Sequence, residues 1–243
     1  MCRNVNAFAK LRQDVILLKI LTKERFVLYC LSTNKKGIVM ANEIIKNIMV
    51  ENNLYITSDI TPETTNDAII KLSQWVNALP EKPTNENTPI LNIYIDSWGG
   101  KFNILHPILT LMNMATARGT IIKTYNLYNA SSCASVLAIS GTKGYRYMAE
   151  NAFNLVHFGN RSMNYTEESE MMNKTKYLEH ETFRFKEPYL LRTKITSAEL
   201  DKYFDHNFSG FLTSEQCLRK GLCDWIITND GRFVNNIKDI KTR

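Results

Sequence analysis

The chain has 243 residues, of which 44% are hydrophobic and 22% charged, and this composition fits one globular domain with or without an appendage. No apolar run reaches the roughly 18 residues that a membrane span requires, because charged residues interrupt the longest one. The net charge of +6 lies entirely in residues 1–39, so the body of the chain gives no electrostatic reason to expect nucleic-acid binding.

Residues 1–39 are interpreted as a basic N-terminal extension, and residues 40–243 as the main domain. The extension is a docking arm, a targeting peptide, or upstream sequence before a true start at Met40, and the arm and the misassigned start are favoured. The five cysteines are odd in number and scattered, with no Cys-x-x-Cys pair. This pattern is typical of reduced thiols and predicts a cytoplasmic protein.

Strands and helices alternate along the main domain. Thr61 and Pro62 are typical of the first residues of a helix, and Thr213 with Gln216 has the spacing of a capping box. In chain order, the pattern predicts a strand at 53–57, a helix from 61 to 80, a strand at 90–96, a helix at 102–115, a strand at 121–125, a turn at 129–132 leading into a helix to 141, strands at 145–148 and 153–157, helices at 166–191, 197–203 and 213–221, and a strand at 223–228. This alternation indicates an α/β domain with mostly parallel strand pairing.

A glycine pair follows the strand at 90–96. Gly99 and Gly100 would let the backbone approach a ligand closely and direct N–H groups at it. An ordinary strand-to-helix turn is the alternative explanation for the same residues.

A serine pair, Ser131 and Ser132, stands at the predicted start of the next helix. A hydroxyl there faces the positive end of the helix dipole and free N–H groups, which suits a nucleophile. A helix cap is the simpler interpretation of either serine. His157 ends an apolar strand, where a histidine bonded to the backbone is equally reasonable.

Together these segments resemble the Clp protease proteolytic subunit (ClpP) family. The resemblance covers roughly residues 52–229, and 25 positions separate Ser132 from His157, a spacing that matches the family's serine and histidine without a gap. The matching segments are LNIYIDSWGG at 91–100, NASSCAS at 129–135, GTKGYRY at 141–147, FLT at 211–213 and GLCD at 221–224.

The resemblance implies a role for each site residue. Ser132 would be the nucleophile and His157 its general base, while the backbone N–H groups of Gly100 and Cys133 would form the oxyanion hole. Ser131 is a rival nucleophile that only the ungapped spacing disfavours, and Cys133 is a more distant rival.

The third member of the family's triad is not matched. The family has an aspartate two residues before its Phe-Leu-Ser segment, and Ser209 occupies that position here. Asp205 and Asn207 are the nearby substitutes. The departure allows a shifted carboxylate, a slow Ser–His dyad or an inactive subunit, and we expect a working site.

The resemblance also implies the architecture and the assembly. The expected fold is a ClpP/crotonase-like α/β fold of repeated β-β-α units with a protruding helix-strand handle. The expected function is that of a serine endopeptidase subunit in a homo-oligomeric ring of seven, with rings stacked in pairs as a further option. No cofactor, metal, nucleic acid or membrane is expected, and the substrates are polypeptides.

A partner is implied as well. The family works with an AAA+ unfoldase of the ClpX/ClpA type, and this chain has no Gly-x-x-x-x-Gly-Lys phosphate loop, so ATP use would belong to that partner. Tyr94 matches a position that lines the family's hydrophobic docking pocket, although an ordinary aromatic on a core strand explains it equally well.

Three other functions remain open. The chain could be an inactive ClpP-like subunit that scaffolds an active one, or a phage-type ClpP-like maturation protease. Crotonase-type chemistry on acyl-CoA thioesters ranks lower, because it does not require a serine and a histidine at this spacing.

Overall fold

The computed structural model describes residues 15–21, 26–34, 37–40, 45–81, 87–157, 168–205 and 210–240. The chain divides into two compact units, Met1–Ile45 and Lys46–Arg243. The described part of the first unit is an antiparallel sheet in the order β1-β2-β3, formed by β1 (Val15–Leu21), β2 (Phe26–Asn34) and β3 (Gly37–Met40).

The second unit is a mixed α/β domain. Its first half contains β4 (Ile48–Val50), β5 (Asn53–Ile56), α1 (Pro62–Asn77), β6 (Ile90–Ser97), α2 (Phe102–Ala117), β7 (Ile121–Ser131) and α3 (Cys133–Ile139). Its second half contains β8 (Arg146–Ala149), β9 (Phe153–Val156), α4 (Glu168–Arg192), α5 (Ser197–Phe204), β10 (Gly210–Thr213), α6 (Ser214–Lys220), β11 (Trp225–Ile227), β12 (Phe233–Val234) and α7 (Ile237–Ile240).

One sheet organises this unit, with the strand order β12-β11-β8-β7-β6-β5-β4. Its central strands β5, β6, β7, β8 and β11 are parallel, and only the outer pairs β4–β5 and β11–β12 are antiparallel. A branch leaves the sheet at the end of β7, where β9 pairs with β7 in parallel and β10 pairs with β9 antiparallel. The predicted α/β architecture is confirmed.

The two faces of the sheet differ in burial. Along β6 every second residue is buried, including Leu91, Ile93 and Ile95, whereas the intervening residues are only partly buried or exposed. This alternation is what a strand with one covered face requires. The other face, which the described residues of this unit leave partly exposed, is called the open face.

Local sequence signals account for several helix boundaries. Thr61 caps α1 in a capping box with Thr64, and Thr213 caps α6 in the same way with Gln216. Gly221 ends α6 in the left-handed conformation, as a C-terminal glycine should. These starts and stops were predicted correctly from the sequence.

One prediction was wrong in detail, and some strands were missed. The turn expected at 129–132 is strand up to Ser131, because β7 continues past residue 125 to pair with Ser97 and with β9. The short strands β4, β10 and β12 were not anticipated.

A buried ion pair joins two of the segments that resemble the ClpP family. The Asp224 carboxylate accepts hydrogen bonds from Arg146 Nη2 at 2.6 Å, Arg146 Nε at 2.9 Å and the Gly144 N–H at 2.7 Å. Arg146 is buried, and these contacts hold the pKa of Asp224 below its ordinary value despite its partial burial. The pair therefore fixes the start of β8 against the loop before β11.

Candidate active site

The glycine loop after β6 is held by a short parallel bridge to Ile60. The Ile60 N–H donates to the Gly99 carbonyl at 2.7 Å, and the Lys101 N–H donates to the Ile60 carbonyl at 2.8 Å. Among the described residues, nothing accepts a hydrogen bond from the Gly100 N–H between them. Gly99 and Gly100 have φ of +94° and +146°, values that side-chain-bearing residues rarely adopt.

The loop lies directly against the serine pair. A Cβ atom placed on Gly99 would come within 2.6 Å of the Ser131 carbonyl oxygen and 2.8 Å of Ser132 Cβ. Only glycine permits this approach, so the alternative of an ordinary strand-to-helix turn does not describe the loop fully. The loop and the serine pair form a single feature.

Ser132 is the single residue that links β7 to α3, and its backbone has φ 52° and ψ −122°. A positive φ is rare for a residue with a side chain and costs on the order of 1–3 kcal/mol, so such residues cluster at functional sites. The Ser132 hydroxyl makes no capping hydrogen bond to α3, and the helix-cap interpretation is wrong for this residue. A strained serine on a strand-to-helix turn is also the arrangement of the nucleophile elbow.

The two rival nucleophiles are engaged elsewhere. Ser131 is buried, and its hydroxyl donates to Asn129 Oδ1 at 2.5 Å. Cys133 is buried as well, and its thiol donates to the Gly100 carbonyl at 3.1 Å. Ser132 is partly exposed, so it is the accessible nucleophile among these three residues.

His157 follows the end of β9, next to the end of β7. Ser131 pairs with Leu155 in the parallel β7–β9 register, and the Ser132 N–H donates to the Leu155 carbonyl at 2.9 Å. Because the carboxyl ends of parallel strands meet at one edge of a sheet, Ser132 and His157 leave the sheet at neighbouring positions. His157 is half-buried, and burial lowers the pKa of its imidazole.

The third triad position is described only in part. Ser209 and Asn207 lie outside the described residues. Asp205 is exposed immediately after α5, and its N–H donates to the Asp201 carbonyl at 3.0 Å. The described chain resumes at Gly210, which pairs with Val156 beside His157.

A stack of four tyrosines crosses the open face of the sheet. We call it the tyrosine ladder, and its members are Tyr55, Tyr94, Tyr125 and Tyr147, which lie in register on β5, β6, β7 and β8. Neighbouring rings are stacked with centroids 5.0, 4.9 and 4.9 Å apart. All four rings are partly exposed.

Only Tyr94 was singled out from the sequence. The other three tyrosines could not be recognised from the sequence, because they become neighbours only through the pairing register of β5, β6, β7 and β8. Tyr94 itself lies on the central strand β6 with its ring partly exposed.

Neither a metal site nor a membrane span is found in the described part of the chain. No group of three or more His, Cys, Asp or Glu side chains there could hold a metal ion. Likewise, no described helix is both long and apolar enough to cross a membrane.

Comparison with known proteins supports the family suggested by the motifs. The family model described as Clp protease matches residues 34–230. The chain is also 23% identical over 203 residues to the ATP-dependent Clp protease proteolytic subunit 2 of Mycolicibacterium paratuberculosis, an alignment that covers 82% of this chain and 94% of that protein. The match to the family model includes the glycine loop, Ser132, His157 and the ion pair of Arg146 with Asp224. This chain therefore belongs to the Clp protease family.

Proposed function

We propose that this chain is a serine endopeptidase subunit that cleaves unfolded polypeptides, with Ser132 as nucleophile and His157 as general base. One observation carries the proposal: Ser132 is an accessible serine on a strained turn whose N–H is bonded to the strand that bears His157. The family suggests peptidase chemistry in general, and this geometry suggests which residues perform it.

In the first half of the reaction, Ser132 Oγ attacks the scissile carbonyl carbon while the His157 imidazole takes the hydroxyl proton. The carbonyl oxygen becomes an oxyanion, and the Gly100 and Cys133 N–H groups are the donors assigned to it. Collapse breaks the C–N bond, and the imidazolium gives its proton to the leaving amine. An acyl ester on Ser132 remains.

In the second half, His157 takes a proton from water as the water oxygen attacks the ester carbonyl. The new oxyanion uses the same two donors. Breakage of the ester bond returns the proton to Ser132 Oγ and releases the carboxylic acid product. The lowered pKa of His157 favours the neutral imidazole that both attacks require.

The residue that orients His157 is where this chain departs from the family, because Ser209 stands at the position of the triad aspartate. Ser209, Asn207 and Asp205 are the candidates for orienting its imidazole. Burial lowers the pKa of His157. A hydroxyl or amide would fix the imidazole without stabilising its charged form. We therefore expect a turnover below that of a complete triad, since replacing the triad aspartate by asparagine costs about 10⁴-fold in a serine protease.

The direct test is hydrolysis of a fluorogenic dipeptide amide by the assembled full chain. Ser132→Ala should abolish hydrolysis, whereas Ser131→Ala should retain most of it because that hydroxyl is buried and bonded to Asn129. Equal loss in both variants, or full activity in Ser132→Ala, would refute the assignment.

We further propose that the chain assembles into a homo-oligomeric ring of seven, with rings stacked in pairs, in the cytoplasm. The tyrosine ladder is the surface proposed to receive an AAA+ unfoldase of the ClpX/ClpA type. Four stacked and partly exposed rings form a larger apolar surface than one aromatic residue offers. The family suggests the partner class, and the ladder is the surface on this chain that we propose it contacts.

A second candidate is a catalytically inactive ring subunit that scaffolds an active one. It is favoured by the serine at position 209, where the family has an aspartate. An assembled wild-type ring that does not hydrolyse peptides, but restores activity to an otherwise inactive related subunit, would establish this role.

A further inference from the structure

A chain of buried hydrogen bonds crosses the core next to the active-site strands. The Tyr189 hydroxyl of α4 donates to Ser135 Oγ at 2.6 Å, and Ser135 Oγ donates to Asn154 Oδ1 at 2.5 Å. Tyr189 and Ser135 are 0% exposed, and Asn154 is 2% exposed. The three side chains therefore form one directed polar chain that is sealed from solvent.

The bond from Ser135 to Asn154 joins the two elements that carry the chemistry. Ser135 is in the first turn of α3, three residues after Ser132. Asn154 is in β9, three residues before His157. The bond is a second connection between these elements, in addition to the backbone bond from the Ser132 N–H to the Leu155 carbonyl.

Tyr189 determines the direction of the Ser135 hydroxyl. A serine in a helix or at its end commonly donates to the carbonyl four residues earlier, and Ser140, the C-cap of α3, does so with the Val136 carbonyl at 2.7 Å. The Ser135 hydroxyl instead accepts from Tyr189 and donates across to Asn154. Burial raises the pKa of Tyr189, so its hydroxyl stays a donor throughout the neutral range.

We propose that Tyr189, Ser135 and Asn154 are positioning residues that hold the turn bearing Ser132 at a fixed separation from His157. The proposal rests on the peptidase function proposed above. None of the three touches the substrate. They act by setting the spacing that proton transfer from Ser132 to His157 requires, since catalysis is sensitive to displacements of about 1 Å.

The test measures kcat and KM of the assembled full chain on a fluorogenic dipeptide amide. Tyr189→Phe removes one oxygen and should lower kcat about tenfold while KM stays nearly unchanged. Ser135→Ala should do the same. The double variant should lose no more than either single variant, because the three groups act as one chain.

Ser214→Ala is the matched control. The Ser214 hydroxyl is also buried and donates to the Glu150 carbonyl at 2.6 Å, beyond the opposite end of β9. Its removal should lower the melting temperature without lowering kcat. A merely structural role for Tyr189 would give Tyr189→Phe the same result.

The outcomes separate the two proposals. An active wild type with kcat unchanged in Tyr189→Phe would overturn the positioning role and leave the peptidase function intact. A wild type that hydrolyses nothing would overturn both. If Ser135→Ala does not fold, Tyr189→Phe decides the question, because it retains the aromatic ring and its packing.

Discussion

The edge of the sheet and its open face use the same strands in different ways. At the edge, Gly99 and Ser132 adopt positive φ angles and lie in close contact, so the proposed chemistry depends on strained backbone. On the face, the tyrosine ladder stands on regular strand and depends only on which side chains occupy one register row. We therefore expect peptide hydrolysis at the edge to be lost when the backbone shifts. We expect partner binding at the face to be weakened when one ring is removed.

The largest effect is expected on the stability of the fold that carries both regions. Asp224→Ala leaves the buried guanidinium of Arg146 without its carboxylate at the start of β8, the strand that carries Tyr147. Loss of one partner of a buried ion pair costs about 3–5 kcal/mol. Urea unfolding should show a fall of this size in the free energy of unfolding.

The matched control for this change is an exposed ion pair. Lys46 and Asp67 are 3.2 Å apart and largely exposed, so Asp67→Ala should change the free energy of unfolding by no more than about 1 kcal/mol. Similar losses in Asp224→Ala and Asp67→Ala would show that the ion pair of Arg146 with Asp224 contributes no more to stability than an exposed pair.

The next largest effect should be confined to the edge. Gly99→Ala forces a Cβ atom toward the Ser131 carbonyl and shifts the loop that presents the Gly100 N–H. Turnover of a dipeptide substrate should fall by about a hundredfold or more, because loss of one oxyanion donor has that cost. Steady-state kinetics on the folded variant measures it.

Gly144→Ala separates backbone strain from steric conflict. Gly144 has φ +91°, close to that of Gly99, but a Cβ atom there meets nothing within 4 Å. This variant should lose stability and keep its turnover per folded site. If it loses as much turnover as Gly99→Ala, the contact between the glycine loop and Ser132 is not what sustains activity.

A smaller effect is expected on the face. Tyr94→Ala removes the ring that stacks on both Tyr55 and Tyr125, and unfoldase-driven degradation of a folded protein substrate should fall about tenfold. Dipeptide hydrolysis should be unaffected, because the ring is not part of the nucleophile's surroundings. Tyr94→Phe, which keeps the stack, should behave like the wild type.

The opposite pattern would contradict the assignment of the face. If Tyr94→Ala slows dipeptide hydrolysis and protein degradation by the same factor, the ladder supports the fold or the site and does not receive a partner.

The smallest effect is a shift in pH dependence. Burial lowers the pKa of His157 below the ordinary value of 6.5, so the neutral base persists to lower pH. The acid limb of kcat/KM, which reports the free enzyme, should therefore have its midpoint below 6.5. A midpoint above 6.5 would indicate a carboxylate close to the imidazole and would point to Asp205 as the third member.

The sequence predicted the local features well. Thr61, Thr213 and Gly221 mark helix ends through chemistry that acts within one turn, and the structure has those ends where expected. The α/β architecture followed from the alternation of strand and helix patterns. Each of these signals is contained in a few consecutive residues.

Features that depend on pairing between distant segments could not be predicted in the same way. Residues 129–132 resemble a turn because they are small and polar, but pairing with Ser97 and β9 makes residues 129–131 strand. The choice between Ser131 and Ser132 depends on where β7 ends. The register of the tyrosine ladder and the polar chain from Tyr189 to Asn154 likewise arise only once the sheet has formed.

The central claim is that Ser132 is an activated nucleophile, and fluorophosphonate labelling of the assembled full chain tests it most directly. Such a probe reacts with serines already activated by a base, and peptide mass spectrometry locates the adduct. We predict one adduct on Ser132 that disappears in Ser132→Ala and persists in Ser131→Ala. An adduct on Ser131 or Cys133, or no adduct on the assembled wild type, would contradict the claim.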